Sequence, residues 1–104
     1  MKVALMVDNK EISREISLTR EIQVFEINKG KIISKMKIDT TTVGGYEGLL
    51  YILGNEGVET VLCGSLKDEE KNDFVNYGLE VVSGARGNPS KTINSYIKYL
   101  NSQK

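Results

Sequence analysis

The chain has 104 residues, 14 basic and 14 acidic side chains, no histidine or tryptophan, and single copies of cysteine (Cys63) and proline (Pro89). Zero net charge excludes the strong pull toward phosphate backbones on which basic nucleic-acid binders depend. The missing histidine excludes triads, zinc sites and haem ligation that require imidazole, and one cysteine closes no intrachain disulfide, which fits a reducing, cytoplasmic compartment.

In chain order, Val3 to Val7 is a short apolar run stopped by Asp8-Asn9-Lys10, the pattern of a buried strand followed by a turn. It falls far short of the ~20 residues of a membrane span and is too brief for a signal-peptide core, so a soluble protein without membrane contact is expected. Residues 9 to 20 are polar apart from Ile12, Ile16 and Leu18 and read as a long loop with room for a short strand or turn. Alternation of Ile22, Val24 and Ile27, the turn Asn28-Lys29-Gly30-Lys31 and the apolar return from Ile32 to Ile38 predict a β-hairpin over 21–39.

The period then changes. Tyr46, Leu49, Leu50 and Leu53 recur at helical spacing, and Thr60-Val61-Leu62-Cys63 reads as a buried strand. Ser65 is placed to cap a helix whose first turn carries Asp68, Glu69 and Glu70, with Phe74 and Tyr77 on its apolar side and Gly78 at its C-terminal end. Leu79 to Val82 is a further strand. Asn88-Pro89 is a strong helix start, and Ile93, Tyr96, Ile97 and Leu100 make one apolar stripe behind it. Tyr99 falls off that stripe and is expected at the surface.

The order strand, hairpin, helix, strand, helix, strand, helix predicts a single α/β domain over residues 1–104. Its core is a mixed five-stranded sheet, the hairpin plus parallel strands, with about three helices on its faces. Ligands of open α/β sheets sit beyond the carboxyl ends of the parallel strands. Asp8-Asn9, Gly64-Ser65 and Gly84 to Asn88 should meet there. The last two lead toward helix N-termini that favour an anion, and Arg86 adds charge. Ordinary connections with helix caps account for the same residues.

Cys63 ends a buried strand and reads either as an inert small hydrophobe or as a ligand or redox thiol at the mouth of that site. Asp8 alone makes no two-metal centre, because the neighbouring strand ends carry Cys63 and Ser83 rather than carboxylates. It reads as a turn residue.

Taken together, Met1 to Asp8, the Ser13 loop, Asn28-Lys29-Gly30-Lys31, Val61-Leu62-Cys63-Gly64, Tyr77-Gly78-Leu79-Glu80-Val81 and Gly84-Ala85-Arg86-Gly87 carry a resemblance. The chain resembles the dinitrogenase iron–molybdenum cofactor biosynthesis family, small accessory and carrier domains of nitrogenase, over nearly its whole length. The resemblance implies a ribonuclease H-like arrangement, with the hairpin beside the first strand and the two later strands on its other side. It also implies an iron–sulfur or iron–molybdenum cofactor.

Where family members commonly carry Ser-Glu-His-Phe-Gly-Arg, this chain reads Ser13-Arg14-Glu15-Ile16-Ser17-Leu18, with Glu15 in the place of the histidine. A second histidine-bearing stretch corresponds to Thr42-Val43-Gly44-Gly45-Tyr46, which keeps Gly44 and Gly45 but not the imidazole. The expected function is a non-catalytic accessory or carrier-like domain. A protein-interaction module or a small-anion-binding domain stands as the alternative, and a protein partner is the expected macromolecular one. A hydrolase would need an acid–base pair that these residues do not assemble.

Overall fold

A computed structural model describes residues 1–41 and 45–103. The elements are β1 (Lys2–Asp8), β2 (Glu11–Ile12), a single 3-10 turn (Ile16–Leu18), β3 (Glu21–Asn28), β4 (Lys31–Asp39), α1 (Gly45–Asn55), β5 (Thr60–Leu62), α2 (Asp68–Asn76), β6 (Glu80–Val82) and α3 (Pro89–Ser102). The sheet order is β4-β3-β1-β5-β6, with the two-residue β2 attached to β1. The hairpin β3–β4 joins β1 antiparallel, whereas β5 and β6 continue from β1 in parallel. This is the expected mixed α/β sheet with three helices, and β2 is its one addition.

β1 is apolar without alternation because it is covered on both faces. Ala4 and Met6 join Ile22, Val24, Val61, Cys63 and Phe74 in a core under α1 and α2. Val3, Leu5 and Val7 join Phe25, Ile27, Leu62, Ile93 and Tyr96 in a second core under α3. The Asn28–Lys31 turn has positive φ at both central residues, 53° at Lys29 and 75° at Gly30, the handedness that suits tight hairpins. Asn88 caps α3, its Oδ1 accepting the Lys91 N–H at 3.1 Å, with Pro89 in the first turn.

Two local expectations are corrected. Ser65 caps nothing, because α2 begins three residues later and Glu70 closes its first turn by accepting the Lys67 N–H at 2.8 Å. Ser65 is drawn away by its own backbone, which forms a parallel bridge with Glu15. Tyr77 lies on no core face; it is 60% exposed and leaves Phe74 alone to seat α2. No helix among the described residues is long and apolar enough to cross a membrane.

The cover on the two faces is unequal. α3 lies over the second core, packed on β1, β3 and β5, and its Asn101 side chain reaches the hairpin turn at Gly30. The edge strand β4 is exposed along nearly all its length, and the Glu21–Gln23 end of β3 lies beside the first turn of α3. Hence Glu21, Gln23, Lys35, Lys37 and Asp39 form an open polar floor there.

Candidate functional site

The residues expected at the strand ends do meet, but they meet backbone to backbone. The Ser65 N–H donates to the Arg14 carbonyl at 2.7 Å and the Ile16 N–H returns to the Ser65 carbonyl at 3.0 Å. The Gly84 N–H donates to the Gly64 carbonyl at 3.1 Å, and the Ala85 N–H to that of Cys63 at 2.9 Å. The Ile12 N–H reaches the Gly87 carbonyl at 2.8 Å, and the Ser13 N–H binds the Met6 carbonyl at 2.9 Å. Gly64 is required by this closure. A Cβ there would collide with the Ser13 carbonyl oxygen and stand 2.6 Å from that of Arg14. The strand ends are thus filled by the segment 11–16.

The individual side chains follow from that packing. Cys63 is fully buried among the α1–α2 core residues, and burial pushes its thiol up to about 11, with the Glu70 carboxylate adding to the rise. Such a thiol is neither nucleophile nor ready ligand at neutral pH. Glu15 and Arg86 are exposed, Gly84 and Gly87 take left-handed φ of 86° and 83°, and Asp8 is paired with Arg20 at 3.6 Å. Gly45 opens α1, while Gly44 lies outside the described residues.

The iron–sulfur or iron–molybdenum cofactor implied by the resemblance finds no matching donors. Soft clusters take thiolate or imidazole. The chain has no histidine, its one thiol is sealed and protonated, and no group of three or more Cys, Asp or Glu that could hold a metal ion occurs among the described residues. The residues do not fit the group.

A more open place lies beside the closed ends, on the bare floor of the hairpin. A cavity of about 560 Å³ runs between the first turn of α3 and strands β3 and β4. Asn9 and Asn88 from the expected set line it, together with Lys10, Arg20, Glu21, Gln23, Lys35, Lys37, Asp39 and Ser90. Cross-strand register sets its rows: Glu21 stands opposite Asp39, Gln23 opposite Lys37, and Phe25 opposite Lys35.

Both carboxylates of this floor are already served by the protein. Glu21 accepts from Gln23 Nε2 at 2.7 Å, and Asp39 Oδ1 accepts from the Thr41 backbone and hydroxyl at 2.8 and 2.7 Å. The Thr41 hydroxyl, and then its N–H, hold the Asp39 carboxyl below its usual range. Lys35 folds over the Phe25 ring, 5.5 Å from its centre. Gln23 is only 6% exposed and its Oε1 has no partner.

Sequence reasoning passed over Arg20, Glu21, Gln23, Lys35, Lys37 and Asp39. The available signal was the polar alternation at 21 and 23 and again at 35, 37 and 39, which puts one face of the hairpin in contact with water.

No protein-family model matches the chain. An uncharacterized protein of Methanocaldococcus jannaschii, MJ0580, is 26% identical over 85 residues, covering 78% of this chain and 72% of that protein. Among solved structures, PH0822 superposes with a TM-score of 0.84 at 20% identity, covering 94% of this chain and 91% of its own. The crystal structure of a second M. jannaschii protein, MJ0327, described provisionally as a dinitrogenase, gives a TM-score of 0.77 at 21% identity. It covers 94% of this chain and 88% of that one. Its solution structure matches equally well, with a TM-score of 0.77 over 96% and 89%. The chain shares the fold of PH0822 and MJ0327.

Proposed function

We propose that this chain is a non-catalytic accessory or carrier-like domain, of the kind the dinitrogenase resemblance implies, that works by binding rather than by bond making. The observation that carries this reading is the closure of the strand ends. The place where an open α/β sheet receives a substrate is occupied by the Ser13–Ile16 backbone, with the only thiol sealed and protonated beneath it. The fold shared with the M. jannaschii protein described as a dinitrogenase supports the family side of the reading. A cargo of iron and sulfur held through Cys63 is not part of it.

Anaerobic reconstitution of the purified chain with ferrous iron and sulfide tests this reading. The expected result is no cluster absorption and no added mass. A chromophore that forms on the wild type and disappears in Cys63→Ala would overturn the reading. So would measurable turnover of ester or phosphoester substrates.

A second reading, a protein-interaction module, is favoured by the exposed apolar side chains. Ile33 is 60% and Met36 39% exposed on the edge strand β4, and Tyr51 and Tyr77 are 70% and 60% exposed on the helical face. A concentration-dependent mass in sedimentation, or a partner that copurifies, would favour it. A strict monomer with no partner would count against it.

A further inference from the structure

Building on the protein-interaction reading above, and resting on it, we propose that the open edge of β4 receives an acidic, extended segment of a partner protein as the next strand of the sheet. β4 ends the sheet order, and among the described residues no strand pairs with its outer side. It is nine residues long and exposed at every position except Ile38. β6, at the opposite edge, has only three residues. A long exposed edge is a template for one more strand, because its outward peptide groups have no ladder partner.

The hydrogen-bond phase of the hairpin fixes which peptide groups those are. The Ile27 N–H donates to the Met1 carbonyl at 2.8 Å, so Ile27 faces β1. In an antiparallel ladder the N–H and C=O of one residue point the same way, and successive residues alternate. Phe25, Gln23 and Glu21 therefore turn their peptide groups to β1, and Glu26, Val24 and Ile22 turn theirs to β4. The partners of the latter are Ser34, Met36 and Ile38. The Thr40 N–H continues that row by donating to the Arg20 carbonyl at 2.9 Å. What β4 offers outward is the N–H and C=O of Lys35, Lys37 and Asp39, at the two-residue spacing a new strand requires.

Side chains set the sign of the incoming strand. From the hairpin turn to the end of β4, Lys29, Lys31, Lys35 and Lys37 stand against Asp39 alone, although the whole chain is neutral. Asp39 is occupied by the Thr41 N–H and hydroxyl, and none of the four lysines forms an ion pair among the described residues. Lys35 and Lys37 lie on the α3 side of the sheet, across from Phe25 and Gln23. Met36, across from Val24, is 39% exposed on the other side. Lysines along an edge deter strands of like charge. A second copy laid antiparallel over the middle of β4 would set Lys35 or Lys37 opposite another lysine, a destabilising pair. The same lysines attract carboxylates. The strand that fits carries Asp or Glu at alternate positions, facing Lys35 and Lys37, with apolar side chains between them to cover Met36.

The test is a titration of the ¹⁵N-labelled full-length chain with two short synthetic peptides, one alternating valine and glutamate and one alternating valine and lysine. The glutamate peptide should bind at millimolar concentration or below. It should slow amide exchange at Lys35, Lys37 and Asp39, which exchange freely without it, and leave exchange at Ser34, Met36 and Ile38 unchanged. Lys35→Glu combined with Lys37→Glu should weaken this peptide about tenfold and let the lysine peptide bind in its place.

Both lysines are exposed, so a spectrum unchanged outside β4 shows that the variant keeps its fold. Equal binding of the two peptides would overturn the acidic partner while leaving β4 an interaction edge. So would protection of the same three amides in the free chain at rising concentration, the sign of self-pairing. Protection that lacks the alternation, or that falls on another element, would overturn the proposal as well. Binding of neither peptide would overturn it too, and in a strictly monomeric chain would count against the interaction reading with it.

Discussion

Two neighbouring regions at the same end of the sheet are built in opposite ways. At the ends of β1, β5 and β6 the chain turns on itself, and peptide groups satisfy one another across Arg14, Gly64, Ser65 and Gly84. On the hairpin beside them, next to the first turn of α3, side chains decide what the surface meets. The first arrangement tolerates no added atom at Gly64, while the second carries eleven polar or charged side chains round a cavity of about 560 Å³. Position in the fold does not by itself make a site. What matters is whether the backbone there is already spent on itself.

Gly64→Ala breaks the closed region hardest. Its methyl group meets the Ser13 and Arg14 carbonyls, so the 11–16 segment must move, and destabilisation of about 3 kcal/mol is expected. Denaturant midpoints would measure it, with the hairpin signals of the folded fraction unchanged.

Alkaline pH probes the same region more gently. The Cys63 thiol titrates near 9.0 when free and near 11 in the fold, so the unfolded chain gives up this proton first. Stability owed to the thiol is therefore whole below pH 9 and is lost between about pH 9 and 11, by up to about 3 kcal/mol. In Cys63→Ala that part of the decline should vanish. Folded wild type should resist alkylation at neutral pH.

Asn88→Ala sits at the border of the two regions. It removes the acceptor of the Lys91 N–H and should cost about 1 kcal/mol by thermal or chemical unfolding, with the strand ends intact. Lys37→Ala, on the open floor, should change stability by no more than about 0.5 kcal/mol. If it matched Gly64→Ala in effect, the distinction between the regions would fail.

Much of the closed architecture was legible. Val3 to Val7 announced a strand buried on both faces, and Asn88-Pro89 announced the start of α3, because both signals are local. Ser65 misled because its local chemistry is that of a cap, while a distant partner, the Glu15 segment, claims its backbone. β2 has only two residues and owes its place to pairing with Val7 and Asp8 and to the hydrogen bond from Ile12 to Gly87, which no periodicity encodes.

The site divided in the same way. Asn9 and Asn88 could be placed from the strand-end rule. Gln23, Lys35 and Lys37 could not, since the cavity they line forms only where the first turn of α3 is set beside β3 and β4. Where a helix begins against a sheet is a property of the assembled fold.

Amide hydrogen exchange across the two regions tests the central claim most directly. The Ser13, Ile16, Cys63 and Ser65 amides are all bonded within the closure. They should exchange only as fast as the whole molecule unfolds, while the turn amides of Lys29 and Gly30 exchange freely. Exchange of the Ser13 and Ile16 amides at the rate of that turn would show an open, loosely held strand end and contradict the account.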